Sequence, residues 1–296
     1  MLHRFLPGRR VLPALLFPLV LPLLLLGAIP APAQATPAPL PTVDMTAVVL
    51  AAQVEGLRGN QPGLRDDAST RLVQSALVAR GFPIAVDGVF GRRTAKAYAG
   101  FQRSIGLTSI DANGIPGRGS LTRLGQGRFS IVNPIAIGSR NARYGTKRVN
   151  TRTARMIAAA DRRVPWTIRV TQGSYCRFTG GCAGASGGSH DGGGVIDIRA
   201  KGLSTTQRWR TVQALRTVGF AAWLRTPSQC GGCWPAHIHA VAVGDVDIWQ
   251  RNGKNLARDQ VADYFVGRNG LSKHQRDNTP AAYRVPFTTW ERYSGA

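Results

Sequence analysis

Two short segments decide the fold of the second half of the chain: residues 189–198 read SHDGGGVIDI, and residues 234–243 read WPAHIHAVAV. In both segments apolar residues alternate with residues of another kind, which is typical of a half-buried β-strand. Alternate residues of a strand face the same side of the sheet, so Ile196, Ile198 and Ile238 are expected on the core side. Helical patterns occur between such strands without the regularity of βαβ units. The sequence therefore predicts an α+β fold with a mainly antiparallel sheet.

The same alternation gathers residues that can bind a metal. His237 and His239 are expected side by side on one face, and Asp197 faces away from the predicted core. The glycines at 192–194 are expected to bend the backbone so that the His190 imidazole returns over Asp197. Two imidazoles and a carboxylate form a Zn²⁺ ligand set that leaves a fourth position for water. In the alternative interpretation, the histidines are hydrogen-bonded on a sheet and the glycines form an ordinary flexible loop.

Periodicity and composition divide the rest of the chain. In the first half, helical patterns predict a small three-helix bundle; they cover residues 67–80, a stretch carrying residues 94–102, and residues 120–124. In the second half, the patterns predict helices at 151–162 and 204–218, and strands at 166–170, 220–224 and 237–243. The predicted divisions are a leader at 1–33, a Pro/Ala-rich tether at 34–65 with a short helix at 45–57, the helical unit at 66–126, a connector at 127–142, the α+β domain at 143–268 and a tail at 269–296.

The first 33 residues have the pattern of a secretory signal. A basic start precedes an almost wholly apolar run over residues 11–26, and Ala31-Pro32-Ala33 supplies small residues for cleavage. A membrane anchor is the alternative, but Pro13, Pro18 and Pro22 interrupt a run that is already short for a span. We therefore expect an extracytoplasmic protein with no stable membrane span after cleavage.

Four cysteines agree with export, since disulfides persist in oxidising compartments. Cys176, Cys182, Cys230 and Cys233 allow three pairings, and the local pairing, Cys176 with Cys182 and Cys230 with Cys233, is one of them. A zinc knuckle of four thiolates is the alternative, although such sites belong mainly to reducing compartments.

Composition limits the possible partners. A chain with 43% apolar and 18% charged residues is not disordered as a whole, and its net charge of +23 favours a polyanionic partner. Loss of the leader removes three arginines and no acid, leaving +20. Nucleic acid is not expected, because export opposes it and the basic residues form no compact stripe. An exported protein with this positive charge meets anionic wall polymers and lipid headgroups before it meets nucleic acid. The oligomeric state stays open.

Over most of residues 67–125 the chain resembles the three-helix peptidoglycan-binding domain of bacteria. The resemblance implies a module that holds an attached domain on the cell wall. It rests mainly on paired or grouped residues that recur at fixed points: Val73-Gln74, Gly81-Phe82, Val86-Asp87-Gly88, Phe90-Gly91, Phe101-Gln102 and Gly106-Leu107. The same residues also have structural explanations, as turn glycines and core side chains.

A second resemblance covers the two segments quoted first. A His-x6-Asp motif followed by Trp-x2-His-x-His is similar to the zinc D-Ala-D-Ala carboxypeptidase and murein endopeptidase group, whose fold is shared with the hedgehog domain and occurs in exported actinobacterial proteins. The resemblance implies His190, Asp197 and His239 as zinc ligands. It also implies that His237 lies beside the metal as a catalytic group that handles a proton or the oxyanion.

Several positions depart from that family. Gly188 and Val195 replace its usual Ser and Ala, and Ala236 stands where many members carry a glutamate base. Arg177, which corresponds loosely to a family arginine, and Arg225 are candidates for binding a substrate carboxylate, because guanidinium groups fit it.

The expected function is therefore hydrolysis of a peptide bond in peptidoglycan stem peptides or cross-links by a zinc metallopeptidase. The alternative is a non-catalytic wall-binding protein whose metal site is structural or vestigial. An L,D-transpeptidase is not expected, because no nucleophilic cysteine follows Ser189-His190.

Overall fold

The computed structural model describes residues 38–54, 67–254 and 256–295. The predicted leader, residues 34–37 and 55–65 of the predicted tether, and residue 66 at the start of the predicted helical unit lie outside these ranges. From Leu40 onward the chain packs as one compact unit. Within the described ranges, no helix has the length and apolar character needed to cross a bilayer.

Helices and short strands follow one another through the described residues. The first half contains β1 (Thr42–Asp44), α1 (Met45–Gln53), α2 (Asp67–Ala79), α3 (Arg92–Ser104), α4 (Arg118–Gly125), β2 (Ser130–Val132), β3 (Ala142–Tyr144) and β4 (Lys147–Val149). The second half contains α5 (Thr151–Asp161), β5 (Val170–Gln172), α6 (Cys176–Thr179), β6 (Val195–Arg199), α7 (Thr205–Thr217), β7 (Phe220–Arg225), β8 (His237–Ala242), α8 (Leu256–Phe265) and α9 (Trp290–Ser294). The predicted mixture of helix and sheet is confirmed.

Helices α2, α3 and α4 lie where the sequence predicts helices. Gln74 on α2 explains the turn that follows it: its Nε2 donates to Asp87 Oδ1 at 2.8 Å, and its Oε1 accepts from Gly88 N at 2.8 Å. The hydrogen bond from Gln74 lowers the pKa of Asp87. Tyr98 and Phe101 of α3 are buried, with their ring centroids 5.9 Å apart. The motif residues therefore have structural roles, and a glycan contact is not needed to explain them.

Residues 40–54 of the predicted tether are packed into the core. Val43, Met45 and Val48 are fully buried. The Gln53 amide donates to Asp245 O at 2.8 Å and accepts from Gly244 N at 2.8 Å. A segment held in this way is not a tether. The tether prediction is wrong for residues 40–54. An Ala/Pro-rich composition does not show whether the short helix that follows it packs against an apolar surface.

One core cluster joins the two predicted domains. It contains Phe101 and Leu124 from the helical part together with Val195 and Trp223 from the sheet. Within the predicted connector, β2 pairs in parallel with β1. The connector also carries Arg140, which binds Asp247 Oδ2 at 2.6 Å. The two predicted domains therefore contribute to one shared cluster, in addition to a second cluster formed within the sheet domain.

The main sheet has the strand order β5-β6-β8-β7, and every neighbouring pair is antiparallel. Ile196, Ile198 and Ile238 point into a core formed with α5 and α7, as predicted. Helix α8 packs near the other face, where it contacts β7 and β8. The predicted antiparallel arrangement is thus confirmed for this sheet, and one of its faces is left for the candidate site.

The predicted strand at 166–170 is wrong, since β5 begins only at Val170. The amide of Ile168 donates to Asp161 Oδ1, at the end of α5, instead of to a neighbouring strand. The Trp166 indole donates to Thr211 Oγ1 at 3.1 Å. Apolar alternation at 166–170 therefore reflects packing of an irregular segment.

Both disulfides follow the local pairing. Cys176 pairs with Cys182 and Cys230 with Cys233, and their Cα atoms are 4.8 Å and 5.5 Å apart. No cysteine in the described residues is free, so the zinc-knuckle alternative has no thiolates to use. The pairing fits an oxidising, extracytoplasmic environment.

We expect all four cysteines to resist alkylation in the denatured protein until a reductant is added. Each sulfur is already bonded to another sulfur, and only a thiolate reacts with iodoacetamide. Intact-mass measurement counts the alkyl groups with and without reductant. Any alkyl group added without reductant would contradict the pairing.

Candidate metal centre

Strands β6 and β8 bring the predicted ligands together. Asp197 and His239 are directly opposed in the antiparallel register. The Asp197 Oδ1 atom lies 2.8 Å from His239 Nδ1 and 3.4 Å from His190 Nε2. The candidate ligand atoms of these three residues all lie within 4.8 Å of one another. The structure therefore places together the three residues that the sequence motifs select.

The His190 ring is held in one orientation by a backbone carbonyl. Its Nδ1 lies 2.9 Å from Gly173 O, which can only accept a hydrogen bond, so the ring proton is on Nδ1. The Nε2 lone pair therefore faces Asp197. His190 is fully buried, and its Nε2 has no hydrogen-bond partner among the described residues. A buried ring nitrogen without a partner is costly unless a cation completes it.

His239 is oriented in the same manner from the opposite strand. Its Nε2 lies 3.0 Å from Gln260 Oε1, and its Nδ1 lies 2.8 Å from Asp197 Oδ1. When the ring proton is on Nε2, the Nδ1 lone pair faces Asp197 Oδ1, and a cation between these two atoms would satisfy both. Burial lowers the pKa of His239, which favours the neutral ring that binds metals. The Trp223 ring is stacked against it at a centroid distance of 6.5 Å.

Asp197 is ionised in this setting. Burial alone would raise the pKa of the carboxyl group, but the neighbouring imidazoles of His190 and His239 outweigh burial and hold this pKa well below its usual range. The site thus combines the Asp197 carboxylate with one ring nitrogen of His190 and one of His239.

His237 lies at the rim of the same group. Its Nδ1 donates to Pro235 O at 2.8 Å, and its Nε2 is 3.8 Å from Asp197 Oδ1. Its side chain is 16% exposed, compared with 1% for His190 and 7% for His239. The Trp234 ring packs edge-on against the imidazole. His237 therefore offers an accessible ring nitrogen beside the three inner residues.

A cavity of about 480 Å³ opens above these residues. Asp197 is the only acidic side chain among the described residues that line it. Two further lining residues, Arg225 and Gln172, have buried nitrogens that find no hydrogen-bond partner among the described residues: Arg225 Nη2 and Gln172 Nε2. The cavity is therefore lined by one carboxylate and by unsatisfied hydrogen-bond donors.

The two predicted carboxylate-binding arginines differ in position. Arg225 is 2% exposed, donates from Nη1 to Asn269 O and lies 5.1 Å from the Trp223 ring centroid. Burial lowers the pKa of Arg225 to about 10. Arg177 is exposed and does not line the cavity. The structure brings Arg225 to the site but not Arg177.

The glycine run before β6 is tight rather than flexible. A Cβ atom on Gly193 would lie 2.6 Å from Asp247 Cβ and 2.7 Å from the Tyr175 hydroxyl. Gly194 has φ +77°, a backbone conformation that favours glycine. Asp247 also accepts a hydrogen bond from the Tyr175 hydroxyl at 2.6 Å. The predicted bend is present, and the close packing does not fit the alternative of an ordinary flexible loop, because the glycines let this segment press against the turn that carries Asp247.

Three residues that hold or flank the site escaped prediction: Gly173, Gln260 and Gln172. Gln260 lies on α8, whose apolar residues Ala257, Val261 and Phe265 recur at helical spacing and could have indicated the helix. No sequence pattern indicates that the carbonyl of Gly173 would meet His190, since that contact depends on the packing of two loops.

Comparison with family models, curated proteins and solved structures gave no match for this chain. The two resemblances therefore rest on their motif residues. The chemistry of the site has to be argued from its own geometry.

Proposed function

We propose that this protein binds one Zn²⁺ ion through His190, Asp197 and His239 and hydrolyses a peptide bond in peptidoglycan. One observation carries the proposal: one ring nitrogen of His190 and one of His239 converge on Asp197 Oδ1, while their distal nitrogens contact Gly173 O and Gln260 Oε1. Acceptors that fix ring orientation in this way accompany histidine ligands of metal sites.

The donor set suits zinc. Two imidazoles and one carboxylate are borderline ligands of the kind found in catalytic zinc sites with a position left for water. The partnerless Nε2 of buried His190 is the observation that a metal would explain. Zn²⁺ bound there would acidify water and polarise a carbonyl group.

His237 is the candidate catalytic residue for proton transfer. Its Nδ1 is occupied by Pro235 O, so Nε2 is the atom that can accept a proton from the attacking water and return it to the leaving amine. An imidazole can both accept and donate a proton near neutral pH, as these two steps require. Because Ala236 supplies no carboxylate, His237 takes the role that a glutamate base fills in many relatives.

Arg225 and Gln172 are the candidate substrate-binding residues. Their unpartnered nitrogens line the same cavity as Asp197 and can donate to a carboxylate or a peptide carbonyl. Stem peptides supply both groups, and the net charge of +23 favours the anionic wall.

Arg225→Lys is expected to raise KM about tenfold for a peptide with a free carboxylate and to change kcat little. Lysine keeps the charge but loses the planar fork that makes two hydrogen bonds. Steady-state kinetics on a defined muropeptide measure this split. The matched control is Arg177→Lys, which lies outside the cavity and should behave like the wild type. Equal effects of the two changes would contradict the assignment.

The alternative of a non-catalytic wall-binding protein is favoured by one observation. Asp197 is the only acid among the described residues lining the cavity, and it is already committed to the proposed ligand set. Of the carboxyl and imidazole groups of the described lining residues, His237 alone is then left to move a proton.

One experiment separates the two functions. Purified protein is analysed for bound zinc by elemental mass spectrometry and incubated with defined muropeptides, whose products are weighed. We expect one zinc per chain and cleavage in the wild type, zinc without cleavage in His237→Ala, and neither in His190→Ala. Zinc without cleavage in the wild type would favour the binding protein, and absence of zinc would overturn the proposal.

A further inference from the structure

A hairpin follows α8 and has a second cavity at its base. Residues 267–277 are joined by hydrogen bonds from Asn269 N to Gln275 O and from Asp277 N to Gly267 O, both 2.8 Å. The tip of the hairpin, residues 270–272, lines the cavity above His190, Asp197 and His239, here named the metal cavity. Its base borders a separate cavity of about 710 Å³. The charged residues lining this second cavity are four arginines and one acid, together with a histidine: Arg216, Arg268, Arg276, Arg284, Asp277 and His274.

Protein groups satisfy only part of this positive charge. Arg216 Nη2 pairs with Asp277 Oδ2 at 2.8 Å, which uses the single lining carboxylate. Arg284 Nε donates to the neutral Thr279 O at 2.9 Å. Arg276 has no side-chain hydrogen bond or ion pair with any described residue. At least two guanidinium groups in the cavity, those of Arg276 and Arg284, therefore have no anionic partner among the described residues.

The positive charge of Arg268 is also only weakly compensated by a nearby carboxylate. Its Nη1 is 3.8 Å from Asp263 Oδ1, and the same carboxylate accepts a closer hydrogen bond from His274 at 2.9 Å. The backbone of Arg268 is fixed, because the Trp223 indole donates to its carbonyl at 3.0 Å. The side chain therefore starts from a fixed point beside the cavity.

The hairpin register opposes two like charges. Arg268 and Arg276 are partners in an antiparallel bridge, which places their side chains on the same face. Like charges directly opposed across strands are destabilising. An anion between them would convert that repulsion into two charge-assisted interactions.

We propose that this cavity binds a phosphate-type oxyanion, either free phosphate or the phosphodiester of an anionic polymer. A carboxylate has two oxygens and can be satisfied by one guanidinium fork, whereas a phosphate offers more oxygens to several forks. The cavity shares no lining residue with the metal cavity. The inference therefore goes beyond the proposed peptidase function and does not depend on it.

Phosphate binding is tested by calorimetric titration of the full chain at low ionic strength. We expect saturable binding of inorganic phosphate, much weaker binding of acetate, and tighter binding of a glycerol-phosphate oligomer if the polymer is the source. Phosphate binding that equals or exceeds oligomer binding per site would identify the free ion as the ligand. Arg276→Gln should weaken phosphate binding about tenfold, since it removes one charge-assisted contact.

A matched control separates the site from the overall charge. The double variant Arg268→Gln/Arg276→Gln is compared with Arg155→Gln/Arg163→Gln, which removes the same charge from exposed positions outside the cavity. Only the first pair should lose binding, and thermal melting checks that both proteins fold. Equal loss in both pairs, or no saturable phosphate binding by the wild type, would overturn the proposal. Asp197→Asn should bind phosphate normally, so failure of the metal proposal would be seen separately.

Discussion

Asp197→Asn is expected to weaken zinc binding by more than about 100-fold while the fold is kept. Asparagine has nearly the same shape but lacks the charge that Zn²⁺ requires from this ligand, and loss even of a residue that supports a ligand typically costs about 10–100-fold in affinity. Competition with a fluorescent zinc chelator measures the dissociation constants. The wild type should also melt higher with zinc, because a ligand at about 100 times its Kd adds about 2.7 kcal/mol to the free energy of unfolding. The variant should lose that gain.

Two further variants show how large and how local the loss of zinc affinity is. Gln260→Leu removes the acceptor of His239 Nε2 but no ligand, so a smaller loss of about 10–100-fold is expected. His274→Ala is the matched control, because its exposed side chain binds Asp263 and does not line the metal cavity. Zinc affinity equal to the wild type in Asp197→Asn would mean that the residues do not form a metal site. Equal loss in His274→Ala would mean that the effect is not local.

The grouping of His190, Asp197 and His239 could be predicted because each part of it follows from local rules. Alternation along β6 and β8 fixes which side chains share a face, and His239 and Asp197 are indeed opposed in the observed register. The structure also places His190 beside Asp197, as the predicted bend at residues 192–194 requires, and these glycines pack closely against Asp245 and Asp247.

The supporting contacts could not be predicted because they join distant parts of the chain. Gln260 reaches His239 from a helix 21 residues further along. Gln53 lies 192 residues before Asp245, whose carbonyl it binds. Pairings of this kind depend on how elements pack, and no periodicity within either segment encodes them. For the same reason the composition of residues 34–65 could not show that residues 40–54 belong to the core.

Glu291→Ala is expected to lower the free energy of unfolding by about 3–5 kcal/mol, a large part of the stability of an ordinary domain. Glu291 lies on α9, within the predicted C-terminal tail. Its Oε1 and Oε2 atoms accept from Arg152 Nε and Nη2 at 2.8 Å and 2.9 Å. The Arg152 side chain is 1% exposed, so the variant leaves a buried cation without its counter-charge. Urea denaturation monitored by tryptophan fluorescence measures the change.

The size of the effect depends on burial, which two comparisons can show. Asp111→Ala breaks an ion pair with Arg140 whose side chains are 33% and 44% exposed, so a loss of no more than about 1 kcal/mol is expected. Arg152→Met/Glu291→Leu removes both buried charges and should recover most of the stability lost in Glu291→Ala, because the uncompensated cation is gone. If the double variant were as unstable as Glu291→Ala, lost packing of α9 would be the cause. Arg152 Nη2 also donates to Val243 O, directly after the strand that carries His237 and His239. The ion pair therefore holds the C-terminal helix against the end of the strand that positions the candidate metal site.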